Sequence, residues 1–276
     1  MTEAELEALG SIRAAYEDLD RWRARSRGVE RPERGSELAG DEVVWPYLDP
    51  AEVARQSLVS ATQHLNLARA ALEAGEVFPT AHYSVLRGAL VGSCMAVWVL
   101  APDVPVDRQQ RALRVVDEFY KRALQYGDDL EPYVDRTHPE AGSWLDSREH
   151  MRHRRTEARS RWADAAGLTK KQALNVTTVV GAAAEVVFSP SAALDVRLLW
   201  RLMSGDAHAL TWQLVGRSTL TQHVGGGMAE FAAGGDLVEL ADVFGKCYRL
   251  TKQGWSLFDR RCETPKQPCP AASASR

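Results

Sequence analysis

The sequence predicts an all-α protein, a multi-helix bundle of about seven or eight helices, with a flexible linker near the N-terminus and a disordered C-terminal tail. Three observations predict it. Apolar residues recur at helical spacing along most of the chain, Asp-Pro, Ser-Pro and Gly signals punctuate it where helices would start and stop, and alternating strand patterns are almost absent. With 276 residues the chain can bury a substantial core, and 45% hydrophobic with 26% charged residues is ordinary for a globular protein. The net charge of −3 gives no whole-protein attraction to nucleic acid or anionic membrane, so any such binding requires a local patch.

Four segments follow: an N-terminal helix within 1–27, a linker over 28–48, a bundle domain over 49–262 and a tail over 263–276. Residues 3–27 are charged with interspersed Ala and Leu, a weakly amphipathic helix. Residues 28–44 are polar and contain glycine. Asp49 followed by Pro50 is an N-cap with proline at the first helical position, opening a helix that runs to about Ala74 and stops at Gly75. Pro79 opens the next, apolar nearly all round to Leu100, as the central helix of a bundle should be. Its apolar run of 14 residues (88–101) is shorter than the roughly 20 that a bilayer span needs. No membrane association is therefore expected. The acidic start, MTEAELEALG, lacks a basic n-region, and the expected location is cytoplasmic.

A fourth helix spans about 106–126 and a fifth begins at Ser143 and ends near Gly167. The β-branched run 176–180 leads directly into GAAAEVV, which favours a short helix over a strand. Ser189-Pro190 then opens a helix over about 192–215, and a last one covers about 237–261. The Gly/Ala-rich stretch 225–235 reads as a loop. HVGGGM (223–228) has the composition of an oxyanion loop, yet no strand signal precedes it and no G-x-S-x-G occurs, so it reads as a connector. Cys94 and Cys247 fall in helical patterns as small core residues, and no CxxC spacing is present.

The segment LLWRLMSGDAHALTWQL (198–214) carries the most chemistry. Arg201 and His208 are seven residues apart, almost two helical turns, and so share a face, with Ser204 between them and Asp206 close by. A guanidinium can hold a phosphate and an imidazole can move a proton near neutral pH, which together suit phosphodiester cleavage without a cofactor. The competing reading is a buried polar network in which the same groups are structural. A second feature is REHMRHRRTEARSR (148–161). Its six arginines, Arg148, Arg152, Arg154, Arg155, Arg159 and Arg161, leave 143–171 at about +4, an electrostatic footprint for an RNA backbone. The alternative is a solvated face paired with the acidic N-terminal helix. His150, His153 and Glu157 have metal-ligand spacing, but the surrounding arginines would repel a divalent cation, so no metal is expected. Trp98, Trp200 and Trp212 read as packing residues. No Walker A or GxGxxG pattern is present.

RLMSGDAH (201–208) fits the Arg-x4–6-His pattern of the HEPN superfamily at its longest spacing, and in that respect the chain resembles those helical proteins. The resemblance implies RNA cleavage through 2′-hydroxyl attack, with Arg201 as phosphate clamp and His208 as proton carrier, aided by Ser204 and Asp206. It also implies a toxin or phage-defence role, a site completed across a homodimer, and an antitoxin or other protein partner. HYSVLRGA (82–89), AVWVLAP (96–102) and WRLMSGDAH (200–208) are in addition similar to helical proteins of high-GC bacteria that carry R-A-x-x-E, W-L-L-x-P and Y-R-x-x-S-x-x-x-H segments. Arg87 matches the first arginine, Val91 stands in place of the usual glutamate, and Trp200 in place of the tyrosine. The likeness covers roughly 51–214. The rival functional class is a non-catalytic helical interaction or scaffold protein.

Overall fold

A computed structural model describes residues 1–166, 173–210 and 212–264. Helices dominate it: α1 (Glu3–Arg13), α2 (Tyr16–Arg25), α3 (Glu37–Asp41), α4 (Pro50–Glu73), α5 (Ala81–Leu100), α6 (Pro105–Leu130), α7 (Ala141–Ala166), α8 (Val176–Val187), α9 (Pro190–Ala207), α10 (Leu214–Arg217) and α11 (Leu237–Cys262), with a hairpin of β1 (Ser218–Gly225) and β2 (Met228–Ala233) before α11. The all-α expectation holds for the body of the chain. The number of helical segments is higher than expected, and the hairpin was not anticipated.

The longest helices form for the reasons their sequences give. The Asp49 carboxylate accepts from the Glu52 amide, with Pro50 in the first turn of α4. Helix α5 is long and apolar enough to cross a membrane. In the fold, however, it is the central helix, packed by α4, α8, α9 and α11, with Leu86, Leu90, Val97 and Leu100 fully buried. That is the environment of a core helix, not a lipid-facing one. Two glycines one turn apart let α4 approach it. A Cβ on Gly92 would lie 2.7 Å from the Ser57 carbonyl oxygen, and one on Gly88 would lie 2.3 Å from the His64 ring. At Gly92 the obstacle is the backbone of α4 itself, so only a residue without a side chain fits that crossing point.

The expected linker over 28–48 is corrected. Leu38 and Trp45 are fully buried, and Ser36 caps α3 by accepting from the Ala39 amide. Two buried arginines from distant helices hold this short helix. Arg108 Nε donates to Asp41 at 2.8 Å and its Nη1 lies 2.8 Å from Glu37, while Arg261 also pairs with Glu37 and donates to the Leu100 carbonyl at 2.6 Å. The single helix expected within 1–27 is two, α1 and α2, with Ile12, Leu19 and Trp22 2% exposed or less and α1 packed on α11. The tail expected as disordered lies outside the described residues from 265 onward. Thr264 itself donates its amide to Glu33 at 2.9 Å.

The stretch 225–235, expected as a loop, is corrected too. It holds the hairpin turn and β2. Gly225 pairs with Met228 across Gly226 and Gly227, whose φ values of 62° and 80° are the left-handed pair that a tight hairpin turn of this twist requires. A strand therefore does precede HVGGGM, but the glycines serve the turn.

Candidate functional site on helix α9

Helix α9 begins at Pro190 and stops sooner than its sequence pattern implies, at Ala207 instead of about 215. The stop is a Schellman motif. His208 is the C-cap, the Ala209 amide donates to Asp206 at 3.1 Å, and the Leu210 amide donates back to Gly205 at 2.9 Å. Ala209 takes φ 54°, the left-handed conformation usually left to glycine. Beyond the motif the chain folds back onto Gly205. A Cβ there would lie 2.7 Å from Gln213 Oε1 and 3.0 Å from Trp212 Nε1, so glycine at 205 is what lets the returning chain pack.

This ending divides the four candidate residues into two pairs. Arg201 and His208 are exposed, and neither side chain has a hydrogen-bond or ion-pair partner among the described residues. His208 stands just past the last helical residue, in the cap, and neither residue is part of a buried network. Ser204 and Asp206 turn inward. The Ser204 hydroxyl donates to the Trp200 carbonyl at 2.8 Å and accepts from Arg87 Nε at 3.1 Å, which joins α9 to α5. The Asp206 carboxylate is wholly buried. It accepts from Arg217 Nη2 at 2.8 and 2.7 Å and from Gln213 Nε2 at 3.0 Å. Arg217 also donates to the Pro79 carbonyl at 3.1 Å and lies 4.0 Å over the Tyr83 ring. Burial pushes the Tyr83 hydroxyl well above the ordinary phenol range. Asp206 thus ties the end of α9 to α10 and to the start of α5. The sequence did not place Arg87 or Arg217 in this neighbourhood, and Arg87 entered only through its likeness to an arginine of other helical proteins.

The six arginines of 148–161 lie on α7, which packs along α6. Five have carboxylate partners. Arg148 pairs with Asp128 and, at 2.9 Å, with Glu131; Arg152 pairs with Glu149 at 3.3 Å and Asp128 at 3.5 Å. Arg155 and Arg159 share Asp117, at 2.9 and 3.7 Å, and Arg161 pairs with Glu157 at 2.6 Å. Arg148 holds the Glu131 carboxyl below the usual carboxylate range, chiefly by hydrogen bonding. The partners come from α6, its C-terminal turn and α7 itself, not from the N-terminal helices. Arg154 has no carboxylate partner among the described residues and instead stacks 4.0 Å over Tyr47. Among the described residues no group of three or more His, Cys, Asp or Glu comes together in a metal-binding arrangement.

Of the tryptophans read as packing, Trp98 is buried, Trp200 is half-buried against the core, and Trp212 is exposed, a correction that follows from the early end of α9. Cys94 and Cys247 are buried as expected, and burial raises the Cys247 thiol to about 12. No protein-family model, curated protein or solved structure matches this chain.

Proposed function

We propose that this chain is an RNA-directed, HEPN-like endoribonuclease of the toxin or phage-defence kind, acting in the cytoplasm as a homodimer. The observation that carries the reading is that Arg201 on α9 and His208 at its C-cap are both exposed and free of protein partners among the described residues. A guanidinium and an imidazole kept out of internal ion pairs remain available to an external phosphodiester. A purely structural role would bury them or pair them.

In this reading Arg201 binds the scissile phosphate and offsets the charge that builds on it. The neighbouring 2′-oxygen attacks phosphorus, the bond from phosphorus to the 5′-oxygen breaks, and the products carry a 2′,3′-cyclic phosphate and a 5′-hydroxyl. His208 takes the proton of the 2′-hydroxyl, and the same imidazole of a second copy supplies a proton to the leaving 5′-oxygen. Ser204 and Asp206 are positioning residues, the first through Arg87 and the second through the turn that follows His208. Because five of the α7 arginines are engaged with carboxylates, the main phosphate contact is assigned to Arg201. An antitoxin or other protein would regulate the activity by covering this face.

The second reading is a non-catalytic interaction protein. It is favoured by the exposed apolar side chains along and after α9, Leu194 and Leu198 on the helix, Leu210 and Trp212 after it, and Leu220 and Phe231 on the hairpin. Incubating the purified protein with labelled total RNA in excess chelator, beside Arg201→Ala and His208→Ala, separates the two. Cleavage with cyclic-phosphate ends, lost in both variants while their melting temperatures stay at the wild-type value, supports the nuclease. Intact RNA with the wild-type protein refutes it and leaves the interaction protein.

A further inference from the structure

The described chain holds a groove that none of the chemistry above uses. Two cavities of about 430 and 660 Å³ share Leu48, Gln56 and Phe119 in their walls, and together they run between α4, α5, α6 and α7. Volumes of this size suit a small molecule. The smaller cavity is lined by Ser57, Ser60 and His64 of α4, by Arg87, Val91 and Met95 along one stripe of α5, and by Phe119 of α6. The larger cavity adds Tyr47, Met151, His150 and Arg154.

The charge of this lining is of one sign. The protein has 37 acidic residues against 34 basic ones, yet no carboxylate lines either cavity, whereas two arginines and two histidines do. Neither arginine is neutralised within the described residues. Arg87 uses only Nε, toward the Ser204 hydroxyl, which leaves both terminal nitrogens of its guanidinium without a partner. Arg154 stacks on Tyr47 and forms no ion pair. Both imidazoles have Nδ1 against a backbone carbonyl, His64 at Ser60 (2.8 Å) and His150 at Asp146 (3.0 Å). Since a carbonyl oxygen only accepts, Nδ1 carries the hydrogen in each ring, and this fixes the ring's tautomer. The floor is backbone, because Gly88 and Gly92 bring α5 against α4.

A partly desolvated guanidinium with free donors, near hydroxyls and at the head of an apolar stripe, suits an anion that carries an apolar body. We propose that this groove binds a small amphipathic anion, with a carboxylate or phosphate held by Arg87 and an apolar body lying along Val91, Met95 and Phe119 toward Tyr47. Arg154, in the larger cavity, draws the anion in and contributes less once it is bound. The site uses neither Arg201 nor His208, and although it shares Arg87 with the nuclease reading through Ser204, its test reads anion binding without any RNA cleavage.

The test is isothermal titration of the full chain with four probes of equal chain length: octyl phosphate, octanoate, octanol and octyltrimethylammonium. The expected result is that at least one anion binds one-to-one, about tenfold or more tighter than octanol, with no binding of the cation. The phosphate ester alone, or both anions, are supporting outcomes that identify the head group. Arg87→Gln lowers the anion's affinity by about tenfold and Arg154→Gln by about threefold, the latter loss shrinking at high salt. Equal binding of octanol, binding of the cation, or no binding of any probe overturns the proposal. So does unchanged anion affinity in Arg87→Gln. Should that variant fail to fold, the ranking of the four probes on the wild-type protein decides alone.

Discussion

Replacing Asp206 by asparagine tests whether this carboxylate is a strut rather than a reacting group. The side chain is fully buried, and the guanidinium it faces is only 9% exposed. Asparagine keeps the shape and one acceptor oxygen but removes the charge, so Arg217 is left as an unneutralised cation with neutral partners, that oxygen, the Pro79 carbonyl and the Tyr83 ring face. Breaking a buried ion pair from one side costs about 3–5 kcal/mol. The two contacts that Arg217 retains place the expected loss at the low end, about 3 kcal/mol, which for a chain of this size corresponds to a fall in Tm of roughly 6–12 °C. Urea unfolding followed by far-UV circular dichroism measures it. The double variant Asp206→Asn/Arg217→Met removes the orphaned cation as well and should recover more than half of the loss. A single-variant loss below about 1 kcal/mol would refute the reasoning, because exposed pairs typically contribute about 0.2–1 kcal/mol. Loss of RNA cleavage in Asp206→Asn without any loss of stability would place the carboxylate in the chemistry instead.

Ala209→Gly should stabilise the protein by about 1 kcal/mol, since glycine meets no Cβ penalty at φ 54° in the Schellman turn; an unchanged urea midpoint would show the turn to be relaxed. Gly92→Ala should destabilise it by about 2 kcal/mol or more, because the new methyl would meet the Ser57 carbonyl at 2.7 Å and push α4 from α5, whereas Gly10→Ala, on an open face, should not. His82 responds to pH. Its Nδ1 accepts from the Phe78 amide at 3.0 Å, and burial lowers its pKa below the ordinary histidine value of 6.5. The unfolded chain therefore binds the proton first, and stability should fall as the pH drops from 6.5 toward the folded-state value, then level off. The matching urea series on His82→Gln should lack that part of the slope.

Much of the fold is written in local pattern. Asp49-Pro50 opens α4 where the cap geometry requires, and the all-apolar α5 becomes the central helix because each of its faces has a helix to meet. Helix α3 could not be read this way. Five residues make no period, and what holds them is a pair of arginines at 108 and 261, remote in sequence. The hairpin was missed for a related reason. Nearly every residue of β1 is exposed, so neither face is buried and no alternation is imposed on the sequence. At the candidate site, the seven-residue interval assumed a helix running through His208, whereas α9 stops one residue before it. The fate of Asp206 could not be foreseen, because its partner follows a chain reversal that depends on Gly205 and on a left-handed alanine.

The position of α11 has a consequence for how the protein is made. This helix packs on α1, α4 and α5, so the faces of those three stay uncovered until residues 237–262 have left the ribosome. For most of its synthesis the nascent chain carries α5, its most apolar helix, without its lid. Such an intermediate is a natural client for a holdase chaperone, and stalled or shortened translation products should be recovered bound to chaperones instead of as free folded protein.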